Sequence, residues 1–115
     1  TGSEVGSVAS FTDHPIVRGV TPVKAVHFTE LRTRIDALRI GAGLARFQWT
    51  DPVLARGVTP IRAVYLQELR AALGEAYAAS GRAAPGWTDA DPTPGATPIR
   101  AVYVMELRAA VLALE

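Results

Sequence analysis

The chain has 115 residues, a formal charge of +1, a pI near 8.2, and 49% hydrophobic against 20% charged residues. That length supports one hydrophobic core, and so weak a net charge excludes bulk attraction to nucleic acid or to an anionic membrane. The absence of cysteine rules out disulfides, thiol chemistry and thiolate-bound zinc, and no run of about 18 apolar residues offers a membrane span.

Residues 1–10, "TGSEVGSVAS", are small and polar, carry no signal-peptide pattern and read as a linker. From Phe11 the chain repeats itself. "TPIRAVY" stands at 59–65 and again at 97–103, and "TPVKAVH" stands at 21–27. Aligned on this phrase, three copies (11–48, 49–86 and 87–115) keep a 38-residue register without a gap. Thr12, Thr50 and Thr88 correspond, as do Gly19, Gly57 and Gly95, Glu30, Glu68 and Glu106, and Arg32, Arg70 and Arg108.

Each copy predicts one helix, near 21–39, 59–79 and 97–114. Thr21, Thr59 and Thr97 suit an N-cap, and the proline behind each suits the first helical position. Val23, His27, Leu31, Ile35 and Leu38 then recur at helical spacing, as do Ile61, Tyr65, Leu69, Leu73 and Tyr77, and Ile99, Tyr103, Leu107, Ala110 and Leu114. Of the connectors, "WTDPVLARG" predicts a short helical turn capped by Thr50 or Asp51 and stopped at Gly57, while "TDADPTPG" reads as a turn. "IGAGLARFQ" and "ASGRAAPG" read as loops. A helix of about 18 residues is roughly 27 Å long, and a connector of about 17–19 residues reaches roughly 55–60 Å, so the chain can return and start each helix at the same end. Near-identical copies need near-identical surroundings. The expected fold is therefore all-α, a three-helix pseudo-threefold repeat domain with long ordered connectors, in preference to an open solenoid with dissimilar caps.

Lys24, Arg62 and Arg100 fall in the first helical turn, where a positive charge opposes the helix dipole by about 0.3–1 kcal/mol. The offset is either a salt bridge to Asp13, Asp51 or Asp89 or to a neighbouring Glu, or an anionic ligand. Glu30, Glu68 and Glu106 lie roughly 80° from the centre of the apolar stripe, where they can approach one another or the next copy's arginine, which predicts a paired structural network. Three equivalent glutamates lack the unequal environments that acid–base catalysis needs. Phe11, Trp49 and Trp87 either wedge connector against helix or, if exposed, form sugar platforms beside Asp and Arg. His14 and His27 have no metal-ligand spacing, and Ser3, Ser7, Ser10 and Ser80 no nucleophile-elbow context. "GAGLARF" lacks phosphate-cradling spacing. Basic and acidic residues alternate, unlike a nucleic-acid surface. No enzyme, cofactor or metal is expected.

The aromatic-Thr-Asp opening, the Gly-x-Thr-Pro-[Ile/Val]-[Arg/Lys]-Ala-Val-[His/Tyr] phrase and the following Glu-Leu-Arg resemble an uncharacterised triplicate helical repeat. That repeat is appended to the C-terminal ends of large secreted bacterial proteins, including proteases and polysaccharide-active enzymes. The resemblance covers Phe11 to Glu115. It implies an appended non-catalytic module in an extracellular or cell-surface setting. Phe11-Thr12-Asp13 and Ile99-Arg100-Ala101 are also similar to S-layer homology modules, pseudo-trimers that anchor proteins to anionic cell-wall polysaccharide. Here the repeat is shorter, one helix per copy is missing, and Val follows Arg-Ala where that family has Glu.

The function expected is a non-catalytic attachment or carbohydrate- or cell-wall-binding module of a secreted bacterial protein. Its expected ligand-binding residues are Trp49, Trp87, Asp51, Asp89, Arg62 and Arg100, with Phe11 and Lys24 marking the weakest copy. The expected partner is a polysaccharide or cell-wall glycan, with neither nucleic acid nor membrane insertion. The alternative is a protein–protein interaction or oligomerisation domain, marked by an exposed apolar patch around Leu66, Val104 or Met105.

Overall fold

Alanine and leucine dominate the stretch behind the second and third copies of the phrase, arginine is the commonest residue behind the first, and each stretch is helical. The computed structural model describes residues 11–13, 16–17, 23–54, 61–89 and 99–115. It contains three helices: α1 (Ala25–Gly41), α2 (Ala63–Ala79) and α3 (Ala101–Leu114), with no strand among the described residues. The first two end alike. Leu44 N–H reaches Arg39 O at 2.8 Å and Arg82 N–H reaches Tyr77 O at 2.9 Å, with Gly43 (φ 86°) and Gly81 (φ 74°) supplying the left-handed turn.

The helix starts differ from expectation. Thr21, Thr59, Thr97 and their prolines lie outside the described residues, but Lys24, Arg62 and Arg100 are extended N-caps (φ −116°, −113° and −106°), so the helices begin later than the Thr-Pro signal predicts. The third helical residue is tied back towards the opening in each copy: His27 Nδ1 accepts the Lys24 N–H at 3.0 Å, and Tyr65 and Tyr103 donate to the Asp51 and Asp89 carboxylates. The expected helical turn at 49–57 is also corrected over its described part. Residues 50–53 are bends, and Asp51 has φ 49°, far from the extended conformation of an N-cap. Its equivalents Asp13 (φ 53°) and Asp89 (φ 52°) share the left-handed conformation that Asp tolerates better than most side chains.

Three junctions join the copies, and each is made in the same way. Arg32 donates to the Thr50 and Asp51 carbonyls, both at 2.8 Å, and Arg70 donates to those of Thr88 and Asp89, both at 2.7 Å. Arg108 then returns to Thr12 O (2.6 Å) and Asp13 O (3.0 Å). The ring is closed. Three equivalent junctions in a closed ring cannot alternate direction, so the helices run parallel. A second layer of contacts joins the helix C-terminal ends. Arg39 donates to Ala72 O (3.0 Å), the equivalent Tyr77 hydroxyl donates to Ala110 O (2.6 Å), and the equivalent Glu115 carboxylate accepts from the Arg34 guanidinium.

The core contains the expected Leu31, Ile35, Tyr65, Leu69, Leu73, Tyr77, Tyr103, Leu107 and Ala110, with Val23, Leu38, Ile61, Ile99 and Leu114 packed against it. His27 is wholly buried as well. Phe28, Leu66 and Val104, one residue off that stripe and equivalent in the three copies, are also fully buried. Each helix packs on both others, so its buried arc is wider than a single apolar stripe. This corrects the expected exposed patch: Leu66 and Val104 are covered, and Met105 is packed against the core. No helix among the described residues is long and apolar enough to cross a membrane.

Candidate functional site

Each copy builds the same polar cluster where its aromatic-Thr-Asp opening meets its own helix. The Glu30 carboxylate accepts the Thr12 N–H (3.0 Å) and hydroxyl (2.5 Å), and Glu68 and Glu106 do the same for Thr50 and Thr88. The preceding copy's arginine lies close by, with Arg32 4.0 Å from Glu68 and Arg108 3.9 Å from Glu30. The glutamates thus join an inter-copy network with the preceding copy's arginine, where the sequence suggested the next copy's or one another, and their oxygens are engaged by threonine.

The arginine of Glu-Leu-Arg is the residue whose role the sequence did not disclose. Arg32 sits between Trp49 and Tyr65, 5.3 Å from each ring centroid, and Arg70 sits between Trp87 (5.4 Å) and Tyr103 (5.3 Å). Arg108 lies 4.7 Å from Phe11. Burial pushes the pKa of all three guanidiniums down from the usual arginine value, against the opposing pull of Glu68, Glu106 and Glu30 respectively. The available signal was an Arg following each buried Leu31, Leu69 and Leu107, at the edge of an apolar stripe and present in every copy.

The six expected ligand residues divide in two. Trp49 and Trp87 are half-buried and rest on Arg32 and Arg70, with Asp51 and Asp89 exposed two residues further on. Arg62 and Arg100 are exposed helix caps, and the arginine against each tryptophan belongs instead to the preceding copy. Phe11 is buried (5% exposed), with Arg34 4.1 Å from its ring centroid, where the other copies have Ala72 and Ala110. A smaller aromatic under a larger neighbour thus fills the first copy. Lys24 pairs with Asp13 at 3.1 Å, as expected for the salt-bridge alternative, and Asp13 also accepts from His27 Nε2 at 3.0 Å. The bond to His27 first, and that to Lys24 second, hold the Asp13 carboxyl below the usual carboxylate range.

Tyr65 and Tyr103 yield a pH prediction. Their hydroxyls donate to Asp51 and Asp89, and chiefly for that reason both phenol pKa values are raised above the ordinary value. A raised folded-state pKa contributes stability that is fully present below the unfolded value of about 10 and is lost as pH rises through the folded value. Two phenols should therefore ionise late in an absorbance titration, with the urea midpoint falling over the same alkaline range. The Tyr65→Phe/Tyr103→Phe double variant should flatten that fall. Ionisation of every tyrosine at the free amino acid's pH would refute the assignment.

Among the described residues no group of three or more His, Asp or Glu side chains is placed to hold a metal ion. A depression of ≈ 260 Å³ at the C-terminal ends of the helices is lined by Ala37, Leu38, Gly41, Ala42, Ser80 and Leu114, none of them an expected ligand residue. No protein-family model, curated protein or solved structure matches the chain.

Proposed function

We propose that the domain is a non-catalytic attachment module of a secreted bacterial protein, acting at the cell surface or outside the cell by binding carbohydrate or cell-wall glycan. The observation that carries this reading is the pair of half-buried tryptophans, each held against a buried arginine and followed by an exposed aspartate. A fixed indole with one accessible edge or face suits the C–H surface of a sugar ring, and a neighbouring carboxylate suits its hydroxyls. The glutamates favour a non-catalytic role, since each is engaged by its own threonine. Arg62 and Arg100 add exposed donors at the helix starts.

The rival reading, a protein-interaction or oligomerisation domain, draws on Val26 and Val102, equivalent valines each 39% exposed at the helix starts. Tryptophan emission under iodide quenching, titrated with soluble polysaccharides and purified cell-wall fractions, separates the two. Protection of quenchable tryptophan by a glycan is expected. Emission unchanged by every glycan would remove the carbohydrate reading and leave the protein partner.

A further inference from the structure

The two tryptophans are not equally supported. Asp36 accepts the Phe47 N–H and the Trp49 indole N–H, both at 2.9 Å, and the Phe47 ring packs 4.7 Å from that of Trp49. In the next copy the residues equivalent to Asp36 and Phe47 are Gly74 and Pro85. The carboxylate is gone, Pro85 has no N–H to donate, and the Trp87 indole N–H has no partner among the described residues. Gly74 lies inside α2, where glycine is disfavoured, yet a Cβ built on it meets nothing within 4 Å. Packing does not require glycine there. What glycine leaves is open space at the position from which Asp36 holds Trp49.

From this we infer that the notch bounded by Gly74, Pro85 and Trp87 is the domain's carbohydrate subsite, and that Trp49 is a structural tryptophan. The inference rests on the glycan reading above and narrows it to one platform. The chemistry favours a neutral sugar. In the first copy an anionic carboxylate is satisfied by two donors, whereas of those two the notch keeps only the indole N–H among the described residues. A carboxylate placed there would lose more hydration than one donor returns, while a sugar hydroxyl oxygen accepts that single N–H and finds an apolar wall in Pro85. Glu75, beside Gly74, is held by Arg39 at 2.6 Å. Asp36 thus serves as a built-in occupant of the first notch, and the second notch is left for a ligand.

The test uses the full chain in native gels cast with dextran, mannan, laminarin or polygalacturonate. The parent and Trp49→Phe should be retarded by at least one neutral polymer, and Trp87→Phe should not. Gly74→Asp should lower affinity at least tenfold while raising Tm by roughly 4 °C, because its carboxylate takes the Trp87 N–H. Circular dichroism checks that each variant is folded. Retardation lost in Trp49→Phe but kept in Trp87→Phe would overturn the assignment and leave the glycan reading standing. Retardation by polygalacturonate alone, or undiminished binding by Gly74→Asp, would overturn it too. No retardation by any polymer would remove both.

Discussion

Replacing Arg108 by methionine is expected to destabilise the domain by about 3–5 kcal/mol, although the substitution touches only the last helix. The guanidinium is fully buried, donates to the Thr12 and Asp13 carbonyls and lies 3.9 Å from Glu30. Methionine keeps the apolar stem but leaves two partly buried acceptors unmet and Glu30 without its nearby cation. Against a total stability of about 5–15 kcal/mol, this is a large fraction. Urea unfolding should show a lower midpoint at unchanged slope, with similar losses for Arg32→Met and Arg70→Met. Arg100→Ala, at an exposed cap, should stay within about 0.5 kcal/mol. A near-zero effect at Arg108 beside large ones at Arg32 and Arg70 would mean an open array in place of a ring.

Phe28→Ala should cost about 3–5 kcal/mol, lowering Tm by roughly 15–30 °C for a domain of this size. Phe28 is completely buried, and its equivalents Leu66 and Val104 are just as inaccessible. Truncation to alanine at these positions should cost less in the order Phe28, Leu66, Val104, following the volume removed. Thermal denaturation by circular dichroism gives the ranking. A small loss at Phe28 would mean that α1 does not pack on both of its neighbours.

That second face marks where sequence reasoning stopped. The spacing of Leu31, Ile35, Leu69 and Leu107 was enough to define three helices and one core face, since periodicity reports a single buried stripe well. A helix wedged between two others buries an arc that a single stripe understates, so Phe28, Leu66 and Val104 read as peripheral. The helix starts were misplaced because Thr-Pro is a strong local signal, while the back-bonding of His27 depends on tertiary placement. The left-handed Asp13, Asp51 and Asp89 were likewise hidden: Asp adopts many conformations, and only the ring of carbonyl contacts fixes this one. The site was half legible. The alignment exhibits Asp36 opposite Gly74, but the difference gains meaning only once Asp36 is seen to hold Trp49.

Near-identical copies within one chain invite scrambling, because any helix resembles the correct neighbour of any other. The contacts at Arg39, Tyr77 and Glu115 oppose this. Two are donors facing a carbonyl, and the third is an acceptor facing a guanidinium. In the reversed cyclic order Glu115 confronts the Ala72 carbonyl, acceptor against acceptor, while Arg39 meets the Ala110 carbonyl and Tyr77 the Arg34 guanidinium. Three parallel helices have two cyclic orders: the observed one satisfies all three pairs, and the other sets the Glu115 carboxylate against a carbonyl. The repeated phrase makes the copies interchangeable in shape, and these three side chains give each copy its address.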